Sequence, residues 1–166
     1  MKKLLLLDAD VVIDMHSLDL FEKLAKAYEI QVTQRVFEEA QFYRKRGKKM
    51  PIDLVGRVSV IEDIDIECLR KVHIEAKEAR IAIDEGEATS IAYLLQKKEE
   101  IRFCACDRAA ITLMSYIQLD EKAISVERAL RDAGHHTKLY PRHLEAKLKD
   151  YIKKGQALRI QYKKLI

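Results

Sequence analysis

The chain of 166 residues sets 31 Lys and Arg against 27 Asp and Glu, a net charge of +4, with 48% hydrophobic and 35% charged residues. Such a length and mixture fit one ordinary domain with its own core under a well-solvated surface, and exclude any need for covalent staples. The three cysteines, Cys68, Cys104 and Cys106, are too irregularly spaced for a disulfide framework, and no apolar stretch approaches the ~20 residues of a membrane helix.

In chain order, "LLLL" (Leu4–Leu7) reads as a core strand that ends on Asp8, with Asp10 two residues on. Lys2 and Lys3 precede that run, but Asp8, Asp10 and Asp14 break it, so a secretory leader is not expected and the chain reads as cytoplasmic. "DLFEKLAKAY" has Leu20, Leu24 and Ala27 at helical spacing, and "EIQV" is a second short strand. "TQRVFEEAQFYRKRGKKM" is expected to form one helix, capped by Thr33, with Val36, Ala40 and Tyr43 on one face and its end at Gly47 or Pro51. In "IDLVGRVSVIEDIDI", Gly56 divides two short apolar runs, read as a helix and a strand. "ECLRKVHIEAKEARIAI" and "DEGEATSIAYLLQKK" are helical, "IRFCAC" is a strand, and "DRAAITLMSYIQ" opens a helix at Asp107. "KAISVERALRDAG" reads as a short strand or turn and then a helix closed by Gly134. The last helix is "YPRHLEAKLKDYIKKG", with Pro141 near its start and Gly155 after its end.

Strands alternating with helices imply a three-layer α/β/α sandwich on a mostly parallel central sheet. One domain is expected over residues 1–150, with a basic C-terminal extension over 151–166. In such a sheet, strand ends and the helix starts that follow them meet at one edge, where ligands bind. Asp8, Glu87 and Asp107 are therefore expected to share that edge, with Glu39 within reach. Clustered carboxylates repel one another, and a hard divalent cation is the usual resolution. Each acid also has a purely local reading. Asp84 and Glu87 make a D-x-x-E capping pattern, Asp107 can be an N-cap, and Glu39 can be solvated like Glu38.

Taken together, "LLLLDADVVIDM", "VTQRVFEEA", "IDEGEATSIAYLLQ" and "FCACDRAAI" resemble the motifs of the PIN domain family, over roughly residues 3–150. That family comprises metal-dependent ribonucleases, including the toxins of many bacterial and archaeal toxin–antitoxin pairs. The resemblance implies an endoribonuclease in which Asp8, Glu39, Glu87 and Asp107 bind Mg²⁺ or Mn²⁺ and a metal-activated water cleaves RNA. It also implies an RNA substrate, a homodimer and, for a toxin, a cognate antitoxin. Two positions depart from the family pattern. Asp10 replaces a small polar residue and would add a ligand, and Ala105 stands where a Thr or Ser is common. Arg108 is the first candidate for a phosphate contact, followed by the basic run with Arg44, Lys45, Arg46, Lys48 and Lys49. Two alternatives stand beside this reading: a catalytically inactive PIN-like module that binds RNA or protein, and a metal-dependent phosphatase of another α/β fold, whose D-x-D strand end "DAD" resembles.

Overall fold

A computed structural model describes residues 1–163. The remaining three, including Lys164 at the end of the expected basic extension, lie outside the described residues. Five parallel strands form the central sheet in the order β5-β2-β1-β6-β7. They are β1 (Lys3–Leu7), β2 (Tyr28–Thr33), β5 (Ser59–Ile61), β6 (Ile101–Cys104) and β7 (Ala123–Ile124). β1 lies in the middle, with Leu4 paired to Glu29 on one side and to Ile101 on the other. Both its faces are covered, which is why it reads as a continuous apolar run rather than an alternating one. Leu5 and Leu7 point into one core and Leu6 into the other, and all three are fully buried.

The first core packs the sheet against α1 (Ala9–Ser17), α2 (Phe21–Ala27), α3 (Gln34–Glu39) and α7 (Val126–Asp132). The second packs it against α4 (Ile66–Ala79), α5 (Glu85–Gln96), α6 (Arg108–Tyr116) and α8 (Glu145–Tyr162). This is the three-layer α/β/α sandwich expected from the alternation of elements, and the architecture agrees with that of a PIN-like fold. Among the described residues, no helix is long and apolar enough to cross a membrane.

Two expected elements differ. The helix begun at Thr33, whose hydroxyl accepts from the Val36 amide as expected, stops at Glu39. The rest of that segment is an antiparallel hairpin of β3 (Phe42–Lys45) and β4 (Lys48–Pro51). Its turn is Arg46-Gly47, both at positive φ (51° and 76°), the backbone that matches the twist of two antiparallel strands. Gly155 does not end the last helix but lies inside α8, which continues to Tyr162. A Cβ there would fall 2.3 Å from the Thr112 carbonyl oxygen and 2.5 Å from the Ser115 Cβ. The absence of a side chain lets α8 lie directly on α6, and the contacts they make repay glycine's poor helix propensity. No helix forms between Ile52 and Val58, where Gly56 sits at φ 72° in a turn.

Candidate functional site

The expected acids do gather at the C-terminal edge of the sheet. Asp8 ends β1 as the N-cap residue of α1, with no side-chain cap bond, and is only 4% exposed. Burial pushes its carboxyl up to about 7; the Ala9 backbone amide opposes that rise, and Asp10, Asp84 and Asp107 add to it by repulsion. Glu87, in the first turn of α5, is buried as well and is pushed up to about 8, first by burial and then by Asp107, Asp84 and Asp8. Asp10 is raised too, by burial and by the neighbouring carboxylates. Glu39 ends α3 against the start of α5, since a Cβ on Gly86 would fall 2.8 Å from its Oε2.

Proximity does not make these acids a cation site. Among the described residues, no group of three or more His, Cys, Asp or Glu side chains is arranged to hold a metal ion. Three of the four expected ligands are already engaged elsewhere. Glu87 turns back on its own helix start, accepting from the Asp84 amide at 3.1 Å, while Asp84 accepts from the Glu87 amide at 2.8 Å. That closed capping box satisfies two free helix amides and directs the Glu87 carboxylate toward the backbone. Asp107 caps α6, accepting from the Ala110 amide at 3.0 Å. Glu39 accepts from Arg35 Nε at 3.0 Å on its own helix. The local readings of Asp84, Glu87 and Asp107 are thus the observed ones. The expectation of an Mg²⁺- or Mn²⁺-dependent endoribonuclease is overturned, and with it a toxin that cleaves RNA at Asp8, Glu39, Glu87 and Asp107. The metal-dependent phosphatase meets the same objection.

Beside the acids, Asp14 holds together two distant parts of the chain. It accepts from Arg142 Nε and Nη2 at 2.9 and 3.0 Å and from His143 Nε2 at 2.8 Å. His143 is fully buried, and its Nδ1 accepts from the Tyr140 amide at 3.3 Å, so Nε2 carries the proton given to Asp14. These bonds hold the Asp14 carboxyl below its usual range against the opposing effect of burial. Both ring nitrogens of His143 are therefore committed to structure. Burial pushes the Cys106 thiol up to about 12 and raises Cys104 as well, which leaves neither as a ready nucleophile.

The candidate phosphate contacts separate into two places. Arg108 is the exposed first residue of α6, next to Asp107. Arg44, Arg46 and Lys48 lie on the hairpin, together with Lys45 and Lys49. One face of the hairpin turns toward α1. There the Tyr43 ring lies 5.8 Å from that of His16, and Lys45 pairs with Asp19. The other face carries Phe42, Arg44, Lys49 and Pro51, all exposed, with Lys49 Nζ 4.0 Å from the centre of the Phe42 ring. Among the described residues, Arg44, Arg46, Lys48 and Lys49 make no salt bridge. Sequence reading noted the cations but missed Phe42 as their neighbour. The signal was "FYRKRGKKMP", two short runs flanking an Arg-Gly turn, which a helical reading obscures.

These features define an α/β sandwich with a carboxylate-rich sheet edge, three of whose acids cap helices, and a basic ribbon on its surface. No protein-family model, curated protein or solved structure matches the chain.

Proposed function

We propose that this chain is a non-catalytic module of PIN-like fold that binds RNA through the β3–β4 hairpin. The observation that carries the reading is the concentration of Arg44, Arg46, Lys48 and Lys49 on one exposed ribbon, free of carboxylate partners among the described residues. Exposed cations without partners neutralise phosphates and release counterions, the main source of nucleic-acid affinity. The carboxylates at the sheet edge disfavour a polyanion there, so the ribbon is the better surface. Support for the PIN-like assignment comes from the parallel sheet, from Asp8 at the end of β1 and from Asp107 shortly after β6.

The test is binding of a fluorescently labelled oligoribonucleotide, followed by anisotropy over a salt series, for the parent chain and for Arg44→Ala/Arg46→Ala/Lys48→Ala. Loss of three phosphate contacts lowers the slope of log affinity against log salt by about 2 for a single strand. Equal affinities and slopes for the two proteins would remove the hairpin from the interface, and no binding by the parent would end the RNA reading.

A further inference from the structure

Resting on that reading, we infer that the outer face of the hairpin is a stacking platform for an unpaired RNA base, with Phe42 as the residue that selects single strands over duplex. Cross-strand partners share a face, so Phe42 and Pro51, Arg44 and Lys49 stand together on the solvent side. The Phe42 ring is 48% exposed. Its surroundings are cationic rather than apolar: Lys49 lies over the ring, and Arg44 lies about 7 Å along the same face, the spacing of alternate strand residues. This set suits one ligand chemistry, a flat base on the ring face that Lys49 leaves free, with the phosphates on either side held by Arg44 and Lys49. A base inside a duplex is already stacked and cannot reach the ring, whereas an unpaired base can. Beneath the platform the hairpin meets α1 through Tyr43 against His16, and Lys45 pairs with Asp19.

The chain has no tryptophan, so Phe42→Trp introduces a single tryptophan at the proposed platform, which can be excited selectively over the seven tyrosines. Full-length parent, Phe42→Ala, Phe42→Trp and Arg44→Ala/Lys49→Ala proteins would be titrated with a twelve-nucleotide single-stranded RNA, its DNA counterpart and an RNA duplex of equal length. Thermal melts would run alongside. The expected result is about tenfold weaker single-strand binding by Phe42→Ala at unchanged melting temperature and unchanged duplex binding. Phe42→Trp keeps the affinity, and its fluorescence is quenched on adding single strand. The platform is overturned if Phe42→Ala binds single strands like the parent while Arg44→Ala/Lys49→Ala is weakened, an outcome that leaves RNA binding by the hairpin standing. Tighter binding of the DNA strand than of RNA overturns the RNA assignment. Absence of binding by every protein overturns the proposed function itself, and this inference with it.

Discussion

Replacing Asp8 with Asn tests whether a buried, poorly compensated carboxylate limits stability. Burial pushes the folded carboxyl up from 3.8 to about 7, so folding raises its pKa. Between those values the folded chain holds a proton that the unfolded chain has released, and stability falls as pH rises through that window. A shift of about three units corresponds to about 4 kcal/mol, fully expressed above pH 7 and nearly absent near pH 4. Asparagine has the same shape, carries no charge and keeps an oxygen for the Ala9 amide. Asp8→Asn is therefore expected to gain less than about 1 kcal/mol near pH 4 and up to about 4 kcal/mol near pH 8. Urea unfolding of both proteins across that range reads the difference directly. A gain that does not grow with pH would show that Asp8 is not the strained group, and the burial argument would fail.

Other expectations are independent of that one. Gly155→Ala drives a methyl group into the Thr112 carbonyl and should cost about 1–3 kcal/mol, seen as a lower melting temperature. Asp14→Ala strands the buried Nε2 proton of His143 and frees Arg142, costing about 1–3 kcal/mol in urea unfolding; an unchanged midpoint would mean that this contact holds nothing together. Burial lowers the His16 pKa, with the Val12 carbonyl opposing the change and Arg57 adding to it. Below about pH 6.5 the unfolded chain takes a proton that the folded ring refuses, so this residue makes stability fall as pH drops, the reverse of Asp8. His16→Phe, which can keep the stack on Phe21, should flatten that acid limb, and NMR titration of His16 should place its midpoint below the usual histidine value.

The alternation of elements was legible because each layer leaves its own period in the sequence. The run Leu4–Leu7 marked a strand covered on both faces, and Thr33 marked a helix start. The hairpin was missed because Val36, Ala40 and Tyr43 continue a helical spacing across a real boundary, which masked the turn signal at Arg46-Gly47. Gly155 misled for a related reason: a glycine that ends a helix and one that admits a neighbouring helix look alike in sequence. Asp8, Glu87 and Asp107 were placed at the right end of the sheet. The order of acids says where each Cα stands, not where its oxygens point. The capping box of Asp84 and Glu87 was written in the sequence as plainly as the metal ligands were, and the backbone amides took precedence.

The central position of β1 sets a condition on how the chain comes together. It can pair with β2 early, since Leu4 meets Glu29 close by in sequence. Its other edge waits for β6, where Leu4 meets Ile101. Until then the Leu6 side of β1 has α4 and α5 to pack on but lacks α6 and α8, which follow β6 in sequence. Long-range pairing of this kind slows folding and leaves apolar surface open meanwhile. A nascent chain stalled before β6 therefore carries a second core only half built, with the β6 edge of β1 unpaired.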